Sequence, residues 1–296
     1  MAALVADCPL LIHHAANNGH PFPPSSLAGI AACLEAGALA IEIDVHALAD
    51  GDFALLHDAQ LEHATTGQGL AGAHTGQQVS RLRLLAVGKP TDHPVATLSQ
   101  VVALLHSKTR PPEVQIDLKI PPAQILTEGQ LCSLAQLLRP LGTGVRVSSP
   151  ADWNLRRLHA VAPDLSLGFD PYLYLDAGPR RGGGAYGYRD KHPLAREKWG
   201  LPVAYLAERA ELLWMQLPYA QAWYIRGTTL ARALDDGFDW VHFLHERGVI
   251  VSAWTLDAAY PRHVETARQL LEAGVDRIAS NNPRALADAL GGGVVF

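Results

Sequence analysis

A (β/α)8 barrel is the fold class that this 296-residue chain predicts. Three observations carry the prediction. Short apolar runs alternate with longer amphipathic segments along the whole sequence, and eight strands alternating with helices are the sequence form of such a barrel. The length suits one α/β barrel domain. No internal repeat and no linker divides the chain, so 1–296 reads as a single catalytic domain.

Taken in order, Pro9 to His13 reads as strand one. Ser25 or Ser26 caps a helix to about Gly37, with Leu27, Ile30, Ala31 and Leu34 at helical spacing. Ala38 to Val45 is strand two, and Phe53 to His57 is a further extended piece after the Asp50-Gly51 turn. Residues from about 59 to 97 carry weak periodicity and read as a small insertion after the second strand, with little regular structure. Leu98 to Ser107 returns to helix. Glu113 to Ile120, between Pro111-Pro112 and Pro121-Pro122, is strand three. Leu131 to Leu138 is a helix, Gly144 to Ser149 strand four, Trp153 to Ala162 a helix, and Leu165 to Phe169 strand five. An irregular loop follows from about 171 to 203 and holds Arg180-Arg181-Gly182-Gly183-Gly184. Leu212 to Gln216 reads as strand six, and Thr228 to Gly248 has helical pattern. Val249 to Trp254 is strand seven, His263 to Gly274 a helix, and Arg277 to Ser280 strand eight.

Composition narrows the function. At 48% hydrophobic and 18% charged residues the chain has the make-up of a soluble globular protein. A net charge of −5 with no basic run argues against a nucleic-acid partner. The three cysteines, Cys8, Cys33 and Cys132, are odd in number and widely spaced, which fits neither a disulfide framework nor a CxxC metal site and points to a reducing compartment. Met1 to Leu11 lacks a positive region and reads as the approach to strand one, not as a signal peptide. No apolar segment is long enough to span a bilayer, so a cytoplasmic address is expected.

The chemistry concentrates in Ile41-Glu42-Ile43-Asp44-Val45, followed by Asp50-Gly51 and Leu56-His57-Asp58. Glu42 and Asp44 are two apart in an apolar run, so a strand turns both carboxylates to one face. Two carboxylates on a buried face repel and are costly to desolvate. The usual resolution is a cation, and oxygen ligands favour a hard one such as Mg2+ or Ca2+. A histidine nearby adds a group that moves protons near neutral pH. In a barrel, active-site groups lie at the C-terminal ends of the strands. His13 on strand one, Glu42 and Asp44 on strand two, Asp117 and Lys119 on strand three, and Trp254 on strand seven all fall at such ends. The plainer readings are salt-bridged acids for Glu42 and Asp44, a strand-end ion pair for Asp117 and Lys119, and a core residue for Trp254.

These motifs resemble the glycerophosphodiester phosphodiesterase family. Leu11-Ile12-His13, Gly37-x-x-x-Ile41-Glu42-Ile43-Asp44-Val45, Asp50-Gly51, His57-Asp58, Thr65-Thr66-Gly67-x-Gly69, Thr97-Leu98, Ile116-Asp117-Leu118-Lys119, Ala253-Trp254-Thr255 and Gly274-Val275-Asp276-Arg277-Ile278 follow in the family's order and spacing. The resemblance implies a TIM barrel with an insertion after strand two. It implies one divalent cation (Mg2+, Ca2+ or Mn2+) on Glu42, Asp44 and Asp117, where the family usually has Glu at the last position. It further implies catalytic His13 and His57, a phosphate-binding Lys119, and Trp254 walling the substrate cleft. The implied reaction is hydrolysis of a glycerophosphodiester to glycerol 3-phosphate and an alcohol. One histidine would take a proton from the nucleophile and the other would protonate the leaving alkoxide. The alternatives are a lysophospholipid or other alkyl phosphodiester as substrate, or a ligand-binding member without turnover.

Two departures stand out. The family's arginine after the first histidine is His14 here, which lacks arginine's bidentate fork. His14 is then the phosphate-side residue, with Arg146, Arg180, Arg181, Arg189, Lys191 and Arg226 as candidate replacement cations. The family's Pro-Glu-Asn-Thr segment reads Pro23-Pro24-Ser25-Ser26, leaving Asn17, Asn18 or His20 to fill that space. His63, His74, His93, His192, His242 and His245 read as ordinary histidines. Trp214, Trp223 and Tyr224 read as packing before a lipid-binding surface, and the Arg180 to Gly184 run as a solvated loop before a lid.

Overall fold

The computed structural model describes residues 8–19, 21–119, 124–178, 187–191 and 200–296. The parallel strands are β1 (Leu10–His13), β2 (Ala40–Ala47), β3 (Glu113–Leu118), β4 (Val145–Ser149), β5 (Ser166–Phe169), β6 (Ala222–Arg226), β7 (Ile250–Trp254) and β8 (Arg277–Ser280). β2, β3 and β4 are hydrogen-bonded in that order, as are β5, β6, β7, β8 and β1, and His13 at the end of β1 pairs with β2; this is the strand order of the expected eight-stranded parallel barrel. The longer helices are α1 (Leu27–Glu35), α2 (Leu98–His106), α3 (Glu128–Leu138), α4 (Asp152–Val161), α5 (Pro202–Gln216), α6 (Gly227–Asp235), α7 (Trp240–His245), α8 (Pro261–Glu272) and α9 (Pro283–Leu290). None of the described helices is long and apolar enough to cross a membrane. By contacts the chain divides into two compact units, His13–Ser166 with Phe296, and Met1–Ile12 with Leu167–Val295.

In the first unit, β2 lies between β1 and β3, with His13 opposite Ile41 and Asp44 opposite Asp117. Ser26 caps α1 by accepting a hydrogen bond from the Gly29 amide at 3.0 Å. α3 begins three residues before the expected Leu131, because Thr127 and Gln130 form a capping box that satisfies its first amides. β2 continues past Val45 to Ala47, where it pairs antiparallel with Phe53–Leu55 across the Asp50-Gly51 turn. Gly51 sits at φ +87°, a conformation that strains other residues.

The insertion is more ordered than its sequence predicts. It contains short helical turns at Leu61–His63, Ala71–Ala73 and Gly76–Val79, and an antiparallel pair of strands, Arg83–Ala86 with Lys89–Pro94. Its Leu61, Ala71, Val79, Leu84 and Val95 form one buried cluster with Leu48, Ala54 and Leu56 from the segment that precedes it. The Thr65-Thr66-Gly67 motif is the clamp of this cluster. Thr65 Oγ1 donates to the Leu61 carbonyl at 2.7 Å and accepts from the Gly67 amide at 2.9 Å. A Cβ on Gly67 would stand 2.5 Å from Leu82 Cδ1. Elements this short leave no 3.6- or 2-residue period to read, which is why the pattern looks irregular.

In the second unit, β6 pairs with β5 and β7 and sets Arg226 beside Trp254. Its core is aromatic: Trp223 packs edge-on against Phe169 with centroids 5.1 Å apart, and Trp240 packs edge-on against Phe243 at 6.1 Å. Trp223 and Tyr224 are buried, in keeping with the packing reading. The expected sixth strand at Leu212–Gln216 is instead the last part of α5. Tyr205, Leu206, Arg209, Ala210 and Leu213 are buried at helical spacing after Pro202 in the first turn, and the strand is Ala222–Arg226. A five-residue apolar run does not by its own period separate strand from helix. The expected irregular loop after strand five is also partly regular, with Leu175–Ala177 pairing antiparallel to Tyr188–Asp190. The Arg180 to Gly184 run, His20, His192 and the expected end of strand three at Ile120 lie outside the described residues.

Candidate active site

The site grows from a single strand. Glu42, Asp44 and His46 are buried on β2 at two-residue spacing, so they share a face. They sit inside the strand, not at its end as the sequence predicts, because β2 runs on to Ala47. The parallel register sets Asp44 opposite Asp117 and Glu42 opposite Gln115. One carboxylate oxygen from each of Glu42, Asp44 and Asp117 lies within 4.8 Å of the others. The Lys119 amide donates to the Val45 carbonyl at 3.0 Å, which carries the pairing one step past β3. Lys119 Nζ then stands 2.6 Å from Asp117 Oδ2 and 3.1 Å from Asp44 Oδ1.

Charge is left over in this arrangement. Fully ionised, three carboxylates face one ammonium. Burial, with Asp44 and Asp117 adding to it, holds the Glu42 carboxyl well above the usual carboxylate range; Lys119 and the Ala15 amide offset only part. For Lys119, burial disfavours the ammonium, but Asp117, Asp44 and Glu42 outweigh it and hold the group above the ordinary lysine range. Three oxygen donors, two buried and one partly so, with two negative charges uncompensated among the described residues, fit a divalent cation in both donor type and charge.

Outer residues brace the set. Ser148 Oγ donates to Asp117 Oδ1 at 2.9 Å and accepts from Gln115 Nε2 at 3.0 Å. The Ala15 amide donates to Glu42 Oε2 at 2.8 Å, and His14 Nε2 lies 3.8 Å from the same oxygen. Ala15 and Ala16 both have positive φ, 50° and 48°. That backbone costs roughly 1–2 kcal/mol per alanine, and it turns this segment toward Glu42.

Both expected histidines are anchored through Nδ1. In His13, on β1, Nδ1 donates to the Asn17 carbonyl at 3.1 Å, which puts the neutral ring's lone pair on Nε2. In His57, Nδ1 donates to Asp58 Oδ1 at 2.8 Å, with the same result at Nε2. That hydrogen bond is also the main cause that holds Asp58 below its ordinary value. His57 is tied to the acidic strand through its backbone: His46 Nε2 donates to the His57 carbonyl at 3.1 Å. Burial lowers the basicity of His46, which suits it to that neutral donor role.

Sequence reasoning missed His46, Gln115 and Ser148. For His46 the signal was present, since it continues the Glu42, Asp44 spacing. Gln115 and Ser148 depend on register across strands, which a single sequence does not state. His63, read as an ordinary histidine, shares Asp58 with His57 at 3.2 Å.

Trp254 and the arginine candidates resolve differently. Trp254, half-buried at the end of β7, donates from Nε1 to the Tyr224 carbonyl at 3.1 Å. The Arg226 guanidinium lies 4.6 Å from the centroid of its ring. Arg226 and Arg189 both engage the buried Asp176, at 3.3 and 2.5 Å. Arg146 is held by Glu113 at 2.7 Å. Trp254 thus belongs to the Leu167–Val295 unit, while the acids, Lys119 and the histidines belong to the His13–Ser166 unit.

A parallel (β/α)8 barrel that carries an acidic triad able to hold a cation, an ammonium and anchored imidazoles has the make-up of a barrel hydrolase. The chain belongs to the glycerophosphoryl diester phosphodiesterase family, whose model matches residues 13–285. It is an enzyme, a phosphoric diester hydrolase of that type, and the resemblance read from its motifs is borne out. It is 29% identical over 198 residues, 57% of this chain and 72% of the relative, to a Mycobacterium tuberculosis protein named "Probable glycerophosphodiester phosphodiesterase 1". It is 26% identical over 150 residues, 49% of this chain and 60% of the relative, to a glycerophosphodiester phosphodiesterase of Caldanaerobacter subterraneus. Among solved structures it is similar to an Oleispira antarctica phosphodiesterase in complex with the product sn-glycerol-3-phosphate. That match has TM-score 0.67 and 19% identity, and covers 96% of this chain and 97% of the other.

Proposed function

We propose that this chain hydrolyses glycerophosphodiesters to glycerol 3-phosphate and an alcohol, with one divalent cation held by Glu42, Asp44 and Asp117 and with proton transfer by His13 and His57. The observation that carries the reading is the meeting of three carboxylates from two adjacent strands within 4.8 Å. When bound, a divalent cation at such a site neutralises charge that builds on the non-bridging phosphate oxygens. Lys119, already seated against Asp117 and Asp44, presents the protein's own positive charge to the same phosphate. With Nδ1 of each ring engaged, the neutral forms of His13 and His57 carry their lone pair on Nε2, the atom that would exchange a proton with substrate. One removes the proton of the nucleophile, a water or a neighbouring substrate hydroxyl whose cyclic ester water then opens, as the bond from phosphorus to the leaving oxygen breaks, and the other returns a proton to the leaving alkoxide. The Asp58 carboxylate behind His57 stabilises the imidazolium formed when that ring takes a proton.

The test is release of glycerol 3-phosphate from glycerophosphocholine and glycerophosphoethanolamine by the purified chain, before and after chelation and with Mg2+, Ca2+ or Mn2+ restored. Loss on chelation and recovery with a divalent ion supports the proposal. Hydrolysis confined to lysophospholipids overturns the substrate, full activity after chelation overturns the cation, and no hydrolysis of any diester leaves a binding protein.

A further inference from the structure

We infer that His63 is a positioning residue for His57: from its turn in the insertion it holds the far oxygen of Asp58, and so keeps the near oxygen on the His57 ring. The inference rests on the proposed proton transfer by His57 and names a residue that supports it.

Three observations carry it. First, Asp58 is a bridge. His57 Nδ1 donates to its Oδ1 at 2.8 Å and His63 Nδ1 donates to its Oδ2 at 3.2 Å, so two imidazoles grip one carboxylate, one at each oxygen. All three side chains are exposed. Water competes for a carboxylate there, and a single contact orders it poorly. A donor on each oxygen fixes the plane of the carboxylate, and with it the tautomer and orientation of His57. Second, both rings are rooted in one body. Leu56, next to His57, and Leu61, two residues before His63, lie in the same buried cluster. Third, the Thr65-Thr66-Gly67-x-Gly69 motif ties down the turn that carries His63. The Thr65 amide and Oγ1 both donate to the Leu61 carbonyl, at 2.8 and 2.7 Å. The Leu61 amide donates to the Gly69 carbonyl at 2.9 Å, and the Gly69 amide donates to Glu62 Oε2 at 2.9 Å. Gly69 does this at φ +83°, where glycine is unstrained. The motif thus fixes the two residues before His63, and Asp58 is what that histidine meets.

The plainer reading is a surface hydrogen bond that only steadies the turn. It predicts a change in melting temperature with nothing altered at His57. The experiment uses the full chain with Mg2+ added, near pH 8, where unperturbed imidazoles are neutral. Nitrogen chemical shifts of the His57 ring report its tautomer, and kcat and KM are measured on glycerophosphocholine. His63→Phe removes the donor and keeps a ring; His63→Leu takes its place if that variant does not fold. His63→Asn keeps a donor, because its amide nitrogen stands about where Nδ1 stood. The donor-less change is repeated in Asp58→Ala.

Positioning predicts that His63→Phe moves the His57 ring away from its Nδ1–H tautomer and lowers kcat by roughly two- to tenfold, the fold-change of one hydrogen bond, with KM unchanged. His63→Asn restores both readouts. In Asp58→Ala the loss of the His63 donor changes nothing further. An unaltered His57 tautomer and kcat in folded His63→Phe overturn the inference. So does a loss that His63→Asn fails to recover, or one that persists in Asp58→Ala. Absence of hydrolysis by the unaltered protein overturns the proposed reaction alone; the His57 tautomer and its rescue then decide the positioning.

Discussion

Asp190 and Glu42 are both buried carboxylates, and the chain answers them in opposite ways. Asp190 meets Arg209 at 2.5 and 3.2 Å, one guanidinium nitrogen to each oxygen, and accepts from the Tyr205 hydroxyl at 2.5 Å. Among the described residues the carboxylate meets the Arg209 guanidinium, and burial with Asp190 raises the Tyr205 pKa so that its hydroxyl stays a donor. Glu42 meets two more carboxylates and a single ammonium. The first group pairs its carboxylate with a guanidinium and a hydroxyl, the kind of partners that offset the desolvation of a structural ion pair. Among the described residues the second stays open by two charges, which is the ground for placing the proposed chemistry there. Asp176 reinforces the contrast, since it is answered by Arg189, Arg226 and Thr229.

The largest effects expected from this contrast fall on turnover at the open cluster and on stability at the paired one. His13→Ala and His57→Ala should each lower kcat by about 10²–10⁴, with the melting temperature and its rise on adding cation retained. Steady-state kinetics beside thermal melts measures both, and a variant with near-normal kcat removes that histidine from the proton path. Arg209→Ala does the reverse. It removes the buried guanidinium from Asp190, for a loss of about 3–5 kcal/mol, while kcat per folded molecule stays normal. Urea denaturation reads the loss; less than about 1 kcal/mol would erase the distinction between the two clusters.

A smaller effect tests the open charge itself. The Glu42 carboxyl is held above its unfolded value, mainly by burial and then by Asp44 and Asp117. Folding of the metal-free protein therefore takes up protons at this group. Its contribution to stability is complete below the ordinary glutamate range and is lost as pH rises through the raised value. The metal-free melting temperature should fall over that interval, by roughly 2–4 °C per kcal/mol. Glu42→Gln should flatten the fall and weaken stabilisation by added cation together. A variant that keeps the full slope shows that the strain resides elsewhere.

How much of this was legible follows from what each feature depends on. Glu42 and Asp44 were readable because charge inside an apolar run is local information, and Asp117 and Lys119 because parity along one strand is. Ser148 and Gln115 act through registers between strands, such as Asp117 opposite Ser148, which no local pattern states. His46 required knowing that β2 continues to Ala47 and that the His57 carbonyl returns to meet it. The sixth strand was misplaced because Leu212–Gln216 and Ala222–Arg226 are both short apolar runs, and only Pro202 with the spacing from Tyr205 to Leu213 distinguishes the helix. The insertion's share of its buried cluster comes from turns too short to carry a period. His14 is placed on the phosphate side only by its position in the family's motif, because alanines at positions 15 and 16 give no sequence sign of the left-handed turn that brings it to Glu42.

The smallest expected effect concerns the thiol behind His13. Cys33 Sγ donates to the Ala16 carbonyl at 3.2 Å and lies 3.8 Å from His13 Nδ1. Burial pushes its pKa up to about 12, so the neighbour of His13 is neutral and adds nothing to the cluster's charge. A thiolate there would hold a proton on His13 and would change the open balance that the comparison rests on. Cys8 and Cys132 are exposed, and Cys33 is buried. A disulfide reagent at pH 8 should therefore titrate two thiols in the native protein and the third only on unfolding. Native reaction of Cys33 at a rate close to the other two would show an ionised sulfur beside the imidazole, and the charge at the site would need to be recounted with His13 as a cation.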